Sequence, residues 1–590
     1  MKKVDLTIGG MTCDRCASHV TEALEQVSGV AAARVPGWRS GQAEVQLGAD
    51  VDAAELVGAV EAAGYRASVQ KEEVSGEGEG ARKEPEGGGA EGYGGPLDTR
   101  GDGAPVVEAP AVAVGPEGDA YDLVVVGGGS AAFAAAIKVS ELGGRAAIVN
   151  AGPEAGALPV GGTCVNVGCV PSKATIRAAE AVHRARRQAF HGVETSADVA
   201  DFGAVMRQVQ ALVADLRDEK YVGVVEGDPN VTLVEGRARL SGAHTVEVAG
   251  GPTLRAKRVL IATGARTFVP EVPGLEEAGY LTNEELYRLQ ERPEHLVVLG
   301  GRYVALENAQ AFARLGARVT VLQRSTRVLP DEAADLTDAL TGFLRADGVD
   351  VRTGVTARAV RREGDEVVVE VTVDGRDGAV RGSHLLLATG RRGNTEGLGL
   401  GALGVGTDRR GFLRVDGTLR TAVPTVFGAG DVLGDKMFVY TAAYEGALAA
   451  RNALQGLHAE RDYAALPWVV FTDPQVAGVG IDERQAAEAG VDADVATLPL
   501  SAVPRALAAR DTRGFVRLVR DRATDRLVGA RVLAPEGAEL LMEVVLAIKH
   551  GVTAQELSET FHPYLTLSEA VKLAALTFRK DVGKLSCCAA

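Results

Sequence analysis

All six cysteines of the chain occur as close pairs: Cys13 and Cys16, Cys164 and Cys169, Cys587 and Cys588. A thiolate is a nucleophile, a redox group and a ligand for soft metal ions. Six cysteines among 590 residues are too few for the disulfide framework of a secreted protein. The pairs therefore indicate redox or soft-metal chemistry at three points of the chain.

The central pair lies in the run GGTCVNVGCVPSK, residues 161–173, ahead of a helix-forming run over 174–187. We expect Cys169 just upstream of that helix, whose dipole and free N–H groups lower the pKa of a nearby thiol. Two buried structural thiols are the plain alternative. Because the pair follows a strand, a glycine-rich turn and a helix by a few dozen residues, a redox role beside a flat cofactor is favoured.

The elements that precede the pair predict a dinucleotide site. Residues 122–126 form a continuous apolar strand, and residues 132–142 form the helix that follows it. Between them, Gly127 and Gly129 let backbone N–H groups approach a pyrophosphate. The small Ala132 permits close packing of the helix on the strand.

The next strand of this site departs from the usual pattern. Residues 145–149 end in Asn150, where an acidic residue usually binds the ribose hydroxyls. Asn150 donates as well as accepts hydrogen bonds and carries no charge. We therefore expect local differences around the adenosine, with the bound dinucleotide retained.

A second dinucleotide turn begins after the buried strand 295–299. Gly300 and Ala305 stand at its first and last positions, and Arg302 stands where the middle glycine would be. Arg302 either obstructs the approach of the dinucleotide or reaches for its phosphate. The helix of this turn extends to residue 315.

Arginines after the next strand, 318–322, favour NADPH. An acidic residue at that strand end would bind the 2′-hydroxyl of NAD, whereas arginine suits a 2′-phosphate. The chain has Gln323 there, with Arg324 and Arg327 close behind. NADPH is favoured over the alternative that these are solvated surface arginines.

The N-terminal residues, 1–70, have the pattern of a small βαββαβ module of the ferredoxin-like kind. Apolar periodicity predicts alternating strands and amphipathic helices at 3–8, 16–28, 41–47, 53–63 and 65–69. Cys13 and Cys16 lie in the loop after the first strand, where a CxxC is either a redox motif or a soft-metal clamp. The string GMTCDRC and the element order resemble the heavy-metal-associated domain, which favours the clamp over a vestigial pair.

Residues 71–118 are rich in glycine, proline and acidic side chains. Such a composition buries too little apolar surface to offset chain entropy, so we expect a disordered tether. A flexible chain of this length has a root-mean-square span of roughly 40 Å. The tether would let the first domain visit the rest of the molecule, and a passive spacer is the alternative.

Residues 161–173 resemble the redox-active disulfide segment of the flavin disulfide reductases. In that family the position of Cys169 is the flavin-proximal thiolate, and that of Cys164 is the outer thiol. The resemblance further implies that Lys173 and Glu307 form an ion pair near the flavin.

The same resemblance implies how the body is divided. Residues 119–273 and 395–466 would form the FAD-binding domain, 274–394 the NADPH-binding domain, and 467–590 an α/β dimerisation domain of a homodimer. The expected strands of the last domain include 471–474 and 515–519. The fold is thus an α/β and α+β multidomain protein with two Rossmann-like domains. The implied FAD contacts are Gly127, Gly129, Ala132, Asn150, Gly162, Thr163, Lys173, Gly264 and Asp431.

The C-terminal segment separates the members of this family. Glutathione reductase and dihydrolipoamide dehydrogenase have a histidine with a glutamate five residues later, and the two act on thiol protons. Here Glu569 follows His562 by seven residues, so the dyad is out of register and a packed histidine is favoured. The vicinal Cys587 and Cys588 either exchange a soft ion or belong to a frayed tail.

The strings PYLTLSE and LSCCAA, together with GMTCDRC, resemble the mercuric reductases. This resemblance implies that NADPH, through FAD, reduces Hg(II) to volatile Hg(0). Tyr221 and Tyr564 match tyrosines that line the mercury site of those enzymes. Three thiolate pairs would bind the metal in turn, namely Cys13 and Cys16, then Cys587 and Cys588, then Cys164 and Cys169 of the partner subunit.

The formal net charge of −16 argues against nucleic acid or an anionic membrane surface as a partner. The first residues are not an apolar signal core, and no run approaches a membrane span. We expect a cytoplasmic enzyme, with a transient hand-off of mercury from a membrane transporter. Two rivals remain: a disulfide reductase for a low-molecular-weight thiol, and a metal-sequestering protein whose flavin body is inert.

Overall fold

The computed structural model describes residues 2–9, 14–35, 42–48, 51–63, 65–74 and 120–584. These residues fall into two compact units, Met1–Glu108 and Ala109–Ala590. Cys13, Cys587, Cys588 and most of the expected tether, 75–118, lie outside the described residues. Cys16 is described only as a position in a helix.

The first unit is a four-stranded sheet with two helices. Its elements are β1 (Lys2–Gly9), α1 (Asp14–Glu25), β2 (Val30–Arg34), β3 (Gln42–Leu47), α2 (Ala53–Ala62) and β4 (Arg66–Val74). The strands are antiparallel in the order β2-β3-β1-β4. Alternate strand residues such as Leu6 and Val45 are fully buried with Leu24 of α1 in one core. The βαββαβ prediction is confirmed.

The second unit opens with a mostly parallel sheet. Its elements are β5 (Ala120–Val126), α3 (Ser130–Glu141), β6 (Ala146–Asn150), α4 (Gly162–Val167), α5 (Cys169–Arg186), α6 (Phe202–Arg217), α7 (Gly223–Glu226), β7 (Val231–Glu235), β8 (Ala238–Gly242), β9 (Thr245–Val248), β10 (Thr253–Ile261) and β11 (Ala265–Thr267). Strands β7, β6, β5 and β10 are parallel neighbours, and β9 and β8 extend the sheet antiparallel. The inner strands are covered on both faces, and a strand buried in this way needs apolar side chains at every position. This explains why their sequences are continuous apolar runs.

A second parallel sheet follows. The elements are α8 (Leu275–Ala278), α9 (Asn283–Leu286), β12 (His295–Leu299), α10 (Tyr303–Arg314), β13 (Arg318–Gln323), α11 (Ala334–Ala346), β14 (Val349–Thr353), β15 (Val355–Glu363), β16 (Glu366–Val373), β17 (Arg376–Gly382), β18 (His384–Leu387) and β19 (Arg391–Gly393). The order of the parallel sheet is β14-β13-β12-β18, and β15, β16 and β17 form a separate antiparallel sheet. Strand β19 pairs with β11, so the region between these two strands leaves the first sheet and returns to it at the same point.

The chain then returns to the first sheet and completes a C-terminal domain. The elements are β20 (Val426–Gly428), α12 (Val439–Gln455), β21 (Trp468–Val470), β22 (Gln475–Gly480), α13 (Glu483–Glu488), β23 (Ala493–Pro499), α14 (Pro504–Ala509), β24 (Phe515–Asp521), β25 (Leu527–Ala534), α15 (Gly537–Lys549), α16 (Ala554–Glu559) and α17 (Glu569–Leu576). Strand β20 pairs with β10, and the last five strands form an antiparallel sheet in the order β21-β22-β25-β24-β23.

The predicted fold class is confirmed, and three local expectations are corrected. Helix α5 begins at Cys169 itself and not after residue 173, because Pro171 is tolerated in a first turn, where its missing N–H is not needed. Residues 471–474 are not a strand; they connect β21 to β22, and Pro474 has no N–H for a sheet ladder. Strand β4 continues through Val74, beyond the predicted boundary at 70. Within the part of the chain that the structure describes, no helix has the length and apolar character to span a membrane.

Candidate active site

The two central cysteines lie at a break between two helices. Cys164 lies in α4, and Cys169 is the first residue of α5. Gly168 joins the helices, and a Cβ on it would lie 2.8 Å from the carbonyl oxygen of Thr163. Glycine therefore suits this bend, which brings the two thiols within hydrogen-bonding distance.

The two thiols differ in acidity. Cys164 donates a hydrogen bond to the sulfur of Cys169, and this bond is the main cause that lowers the pKa of Cys169 to about 7. Burial opposes that shift, and the positive charge of Lys173 supports it. The same hydrogen bond, together with burial, raises the pKa of Cys164. Cys169 is therefore the sulfur that ionises first in this free dithiol.

Lys173 and Glu307 form an ion pair one helical turn from Cys169. Lys173 Nζ lies 2.8 Å from Glu307 Oε2 and 4.3 Å from the ring centroid of Phe471. The backbone N–H of Phe471 donates to Glu307 Oε1 at 2.9 Å. Because the Glu307 carboxylate is buried, these partners offset a desolvation cost that an unpaired charge would carry. The pair also joins α5 to α10.

Tyr221 lies beside the cysteine pair, on the π-helical turn Asp218–Val222. Its ring meets Phe133 edge-on with centroids 4.9 Å apart, and its hydroxyl lies 3.4 Å from Ser130 Oγ. Burial raises the pKa of Tyr221, and the charges of both cysteines raise it further. Tyr564 lies in another domain, half-exposed in the loop between α16 and α17.

The first dinucleotide turn is a cradle of backbone. Gly127 has φ +122°, and a Cβ on it would lie 2.2 Å from the carbonyl oxygen of Ala262. Gly162 is so close to Gly129 that a Cβ on it would lie 2.9 Å from the Gly129 Cα. The cysteine segment therefore packs directly against the turn that begins α3. Ala132 is fully buried, as this close packing requires.

Asp431 faces the same region from the strand β20 side. Arg391 Nη1 lies 4.0 Å from Asp431 Oδ2, and burial raises the pKa of Asp431. Its charge also raises the pKa of Cys169, which places the carboxylate near the thiolate. Gly264, with φ +68°, borders open space after β10, and Thr163 is half-buried in α4. A glycine cradle beside a largely buried carboxylate fits a flavin dinucleotide.

Asn150 is buried against the first turn. A Cβ on Gly128 would lie 2.6 Å from Asn150 Oδ1, and Asn150 Nδ2 donates to the carbonyl oxygen of Leu158 at 3.3 Å. The amide thus anchors the long connection 151–160. This contact is one that an acidic side chain could not make, because a carboxylate has no N–H to donate.

Asn166 is a site residue that sequence reasoning missed. Its Nδ2 anchors the end of the same connection at the carbonyl oxygens of Pro159, Val160 and Gly162, at 3.2, 3.1 and 2.9 Å. The signal in the sequence is a single amide between two valines in an otherwise apolar run. Its role depends on folding of the preceding segment, which local pattern does not specify.

The second dinucleotide turn has a similar backbone. Gly300 has φ +124°, and a Cβ on it would lie 2.3 Å from the carbonyl oxygen of Ala388. Arg302 is extended, with φ −112° and ψ −167°, so the position accepts a side chain without strain. That side chain forms an ion pair with Asp331. Ala305 is fully buried.

The end of strand β13 lies against this turn. A Cβ on Gly301 would lie 3.0 Å from the Gln323 side chain, whose Nε2 donates to the carbonyl oxygen of Arg327 at 3.3 Å. Arg324 is exposed, and Arg327 Nε is buried without a hydrogen-bond partner among the described residues. Two guanidinium groups beyond a neutral strand end fit the 2′-phosphate of NADPH.

His562 has a different partner from the one that the family pattern offers. Its Nε2 lies 2.5 Å from Glu543 Oε1, and its Nδ1 lies 3.0 Å from the carbonyl oxygen of Thr560. Glu569 instead accepts the backbone N–H of Leu565 at 3.3 Å. The imidazole is nearly buried, so the geometry agrees with a packed histidine.

Two dinucleotide cradles converge on a dithiol in which one sulfur is acidic, and this arrangement defines a flavin- and nicotinamide-dependent disulfide oxidoreductase. Family models agree with this class. The pyridine nucleotide-disulphide oxidoreductase model matches residues 121–446, and the dimerisation domain of the same family matches 466–575. The heavy-metal-associated domain matches 5–66.

Similar proteins narrow the class further. A mercuric reductase of Bacillus cereus is 39% identical over 100% of this chain and 87% of its own length. One of Streptomyces lividans is 45% identical over 80% of this chain and 98% of its own. The HOCl-induced flavoprotein disulfide reductase RclA of Escherichia coli is 29% identical with a TM-score of 0.68, over 77% of this chain and 99% of its own. The chain belongs to the mercuric reductases, a family that uses FAD and NADPH.

Proposed function

We propose that this chain reduces Hg(II) to volatile Hg(0), with NADPH as electron donor and FAD as resident cofactor. The observation that carries the proposal is the acidic dithiol of Cys164 and Cys169 between two dinucleotide cradles. Paired thiolates select soft metal ions, and Hg(II) is among the softest.

Bound FAD supplies two-electron chemistry, taking a hydride from NADPH and passing the electrons toward sulfur or metal. Gly127, Gly129 and Gly162 would admit its pyrophosphate, and Asp431 would accept a hydrogen bond from the ribitol. Asn150 would border the adenosine.

Further contacts would come from the remaining predicted binding residues. Thr163 and Gly264 would border the flavin from α4 and from the end of β10. Arg324 and Arg327 would bind the 2′-phosphate of NADPH, close to the turn that begins with Gly300.

At the dithiol, Hg(II) takes the place of the proton between the two sulfurs. Two S–Hg bonds to Cys164 and Cys169 form as the two S–Hg bonds to the delivering thiolates break; the Cys164 proton passes to one of the released thiolates, and Cys169 reacts in its thiolate form, which its pKa of about 7 makes accessible. Two electrons then enter Hg(II), both S–Hg bonds break with the electron pairs kept on sulfur, and Hg(0) leaves as a neutral atom. Lys173 supports the thiolate charge of Cys169 throughout.

Delivery would use the other two cysteine pairs. Tyr221, beside the dithiol, and Tyr564, on the C-terminal domain, would line the path. Hg(II) would pass in turn through Cys13 and Cys16, Cys587 and Cys588, and Cys164 and Cys169 of the partner subunit.

A homodimer is supported by the dimerisation-domain match and by exposed apolar side chains on α15 and the loop after α16, namely Met542, Leu546 and Phe561. We place this enzyme in the cytoplasm, where it would take Hg(II) from cellular thiols or from a membrane transporter.

The test is a titration of the purified, yellow protein. NADPH should bleach the flavin absorbance, and Hg(II) should restore it with release of mercury vapour. In the variant Cys587→Ala/Cys588→Ala, bleaching should be normal, whereas turnover of Hg(II) bis-thiolate complexes should be crippled. Normal turnover of these complexes by the variant would contradict the relay. Failure of Hg(II) to restore the flavin absorbance after bleaching by NADPH would contradict the function.

The rival is a disulfide reductase for a small thiol. The presence of His562 favours it, but its imidazole is paired with Glu543 in the described structure and not with Glu569. NADPH oxidation in the presence of glutathione disulfide or of Hg(II) separates the two functions.

A further inference from the structure

Arg302 and Asp331 form an ion pair at the second dinucleotide turn, with Arg302 Nη1 2.5 Å from Asp331 Oδ2. Arg302 is the residue directly before α10, so it stands where the free N–H groups of that helix begin. Asp331 belongs to the loop 324–333 that follows β13. The same loop carries Arg324 and Arg327.

The loop is attached to the turn without help from this ion pair. The backbone N–H of Leu329 donates to the carbonyl oxygen of Gly301 at 2.9 Å. The side chain of Gln323 contacts Gly301 at the start of the loop. Leu329 keeps φ +41°, which a leucine holds only where its surroundings determine it. Loss of the ion pair would therefore leave the loop in place.

The ion pair itself is easy to exchange. The side chains of Arg302 and Asp331 are 51% and 69% exposed, and ion pairs with such exposure contribute little to stability. A pyrophosphate at the N-terminus of a helix carries more negative charge and more acceptor oxygens for a guanidinium group than a single carboxylate does. The interaction of the Arg302 guanidinium with a pyrophosphate is therefore more favourable than its interaction with Asp331.

We propose that Arg302 is a switchable ligand for the pyrophosphate, held by Asp331 until the nicotinamide dinucleotide binds. Asp331 is then a competitor that lowers the affinity for the dinucleotide and favours its release. This inference rests on the binding of NADPH in the proposed function, and it adds a residue that opposes that binding.

The experiment is equilibrium titration of the oxidised holoenzyme with NADP⁺ and with NAD⁺, by calorimetry. Arg302→Ser should weaken both dinucleotides about tenfold, since the lost hydrogen bonds are to a charged group common to both. Asp331→Asn should tighten both roughly threefold, as expected for release from an exposed ion pair. In the Arg302→Ser background the effect of Asp331→Asn should vanish, because Asp331 acts through Arg302.

Two further variants separate this site from its surroundings. Arg324→Ala should weaken NADP⁺ and leave NAD⁺ unchanged, because only NADP⁺ carries the 2′-phosphate. Arg318→Ala is the matched control: it removes an exposed arginine from the opposite end of β13 and should change neither affinity.

Unchanged binding in Arg302→Ser, or loss confined to NADP⁺, overturns the proposal, and tighter binding would mean that Arg302 obstructs the site. If Arg302→Ser loses its flavin, Arg302→Lys and Asp331→Asn test the proposal instead. Arg302→Lys should weaken the binding of both dinucleotides less than tenfold. Unchanged affinities in Asp331→Asn overturn the proposal. A wild-type enzyme that binds neither dinucleotide would contradict the proposed function instead.

Discussion

The two dinucleotide turns have the same backbone and different surroundings. Each begins with a glycine, Gly127 or Gly300, whose φ is +122° or +124° and which packs against the carbonyl oxygen of a neighbouring strand end. Each has a buried amide, Asn150 or Gln323, in contact with its second glycine. The common features are those that a parallel strand, a tight turn and a helix require.

The differences concern what covers each turn. The first turn is lined by small residues and covered by the cysteine segment, through the close contact of Gly129 and Gly162. The second is bordered by exposed charges, Arg302 and Arg324. A covered, uncharged cradle suits a cofactor that stays, whereas an open, charged one suits a dinucleotide that exchanges in each turnover. The Lys173–Glu307 pair connects them, because α5 follows directly after α4, which packs on the first turn, and α10 begins at the second.

The largest effect should come from a side chain at the first residue of either turn. Gly127→Val should give a colourless protein, and Gly300→Val a yellow protein that NADPH cannot bleach, because the new Cβ atoms would meet carbonyl oxygens at 2.2 and 2.3 Å. The flavin content of Gly127→Val and the bleaching of Gly300→Val by NADPH are the measurements. Gly143→Ala is the control, since Gly143 also has positive φ but faces open space. Flavin retained in Gly127→Val would break the comparison.

Removal of the arginines beyond β13 should have the next largest effect. The double variant Arg324→Ala/Arg327→Ala should lose at least about a hundredfold in preference for NADPH over NADH, since two charged hydrogen bonds contribute about 1.5–3 kcal/mol each. The ratio of kcat/KM values with the two dinucleotides is the measurement. An unchanged ratio would mean that these are solvated surface arginines.

The charges next to Cys169 should shift its reactivity in opposite directions. Cys169 is nucleophilic as a thiolate, so alkylation of the reduced enzyme by iodoacetamide should rise as the pH passes about 7. Lys173 lowers the pKa of Cys169 and Glu307 raises it, so Lys173→Met should move the profile to higher pH and Glu307→Gln to lower pH.

Lys173→Arg keeps the positive charge and is the control for these profiles. It should leave the pH dependence close to that of the native enzyme. Shifts of the same sign in Lys173→Met and Glu307→Gln would show that disruption of the helix contact, and not charge, controls the thiol.

The smallest effect should come from restoring an acid at the end of β6. Asn150→Asp gains a charged acceptor toward the ribose hydroxyls but loses the hydrogen bond to the carbonyl oxygen of Leu158. The two changes oppose each other, so the flavin dissociation constant should change by less than about tenfold. Complete loss of flavin would show that the amide is required to hold the connection 151–160.

Much of the fold could be predicted because its strong signals are local. The strands around Leu123 and Val297 are apolar throughout, as strands covered on both faces must be, and each is followed by a glycine turn. By contrast, the sequence pattern assigns no residue range to the second strand of the βαββαβ order, β2, because a strand rich in alanine with a mostly exposed pattern gives no β signal.

The less predictable part of the site depends on contacts between distant parts of the chain. The backbone N–H of Phe471 donates to Glu307, 164 residues away in the chain, and the acidic partner of His562 is Glu543, 19 residues before it. Sequence pattern identifies residue types near a turn or helix start, but such pairings follow from the assembled sheets. The place of Cys169 as the first helical residue was also missed, because Pro171 reads as a helix boundary.

The central claim is that the dithiol holds Hg(II) while electrons from NADPH, passed on by the flavin, enter the metal, and Cys169→Ala tests it most directly. Mercury vapour and Hg(II)-dependent oxidation of NADPH are measured together on native and variant enzyme with equal flavin content. Both activities should disappear in the variant while NADPH still bleaches the flavin. Release of mercury vapour from Cys169→Ala at the native rate would contradict the account.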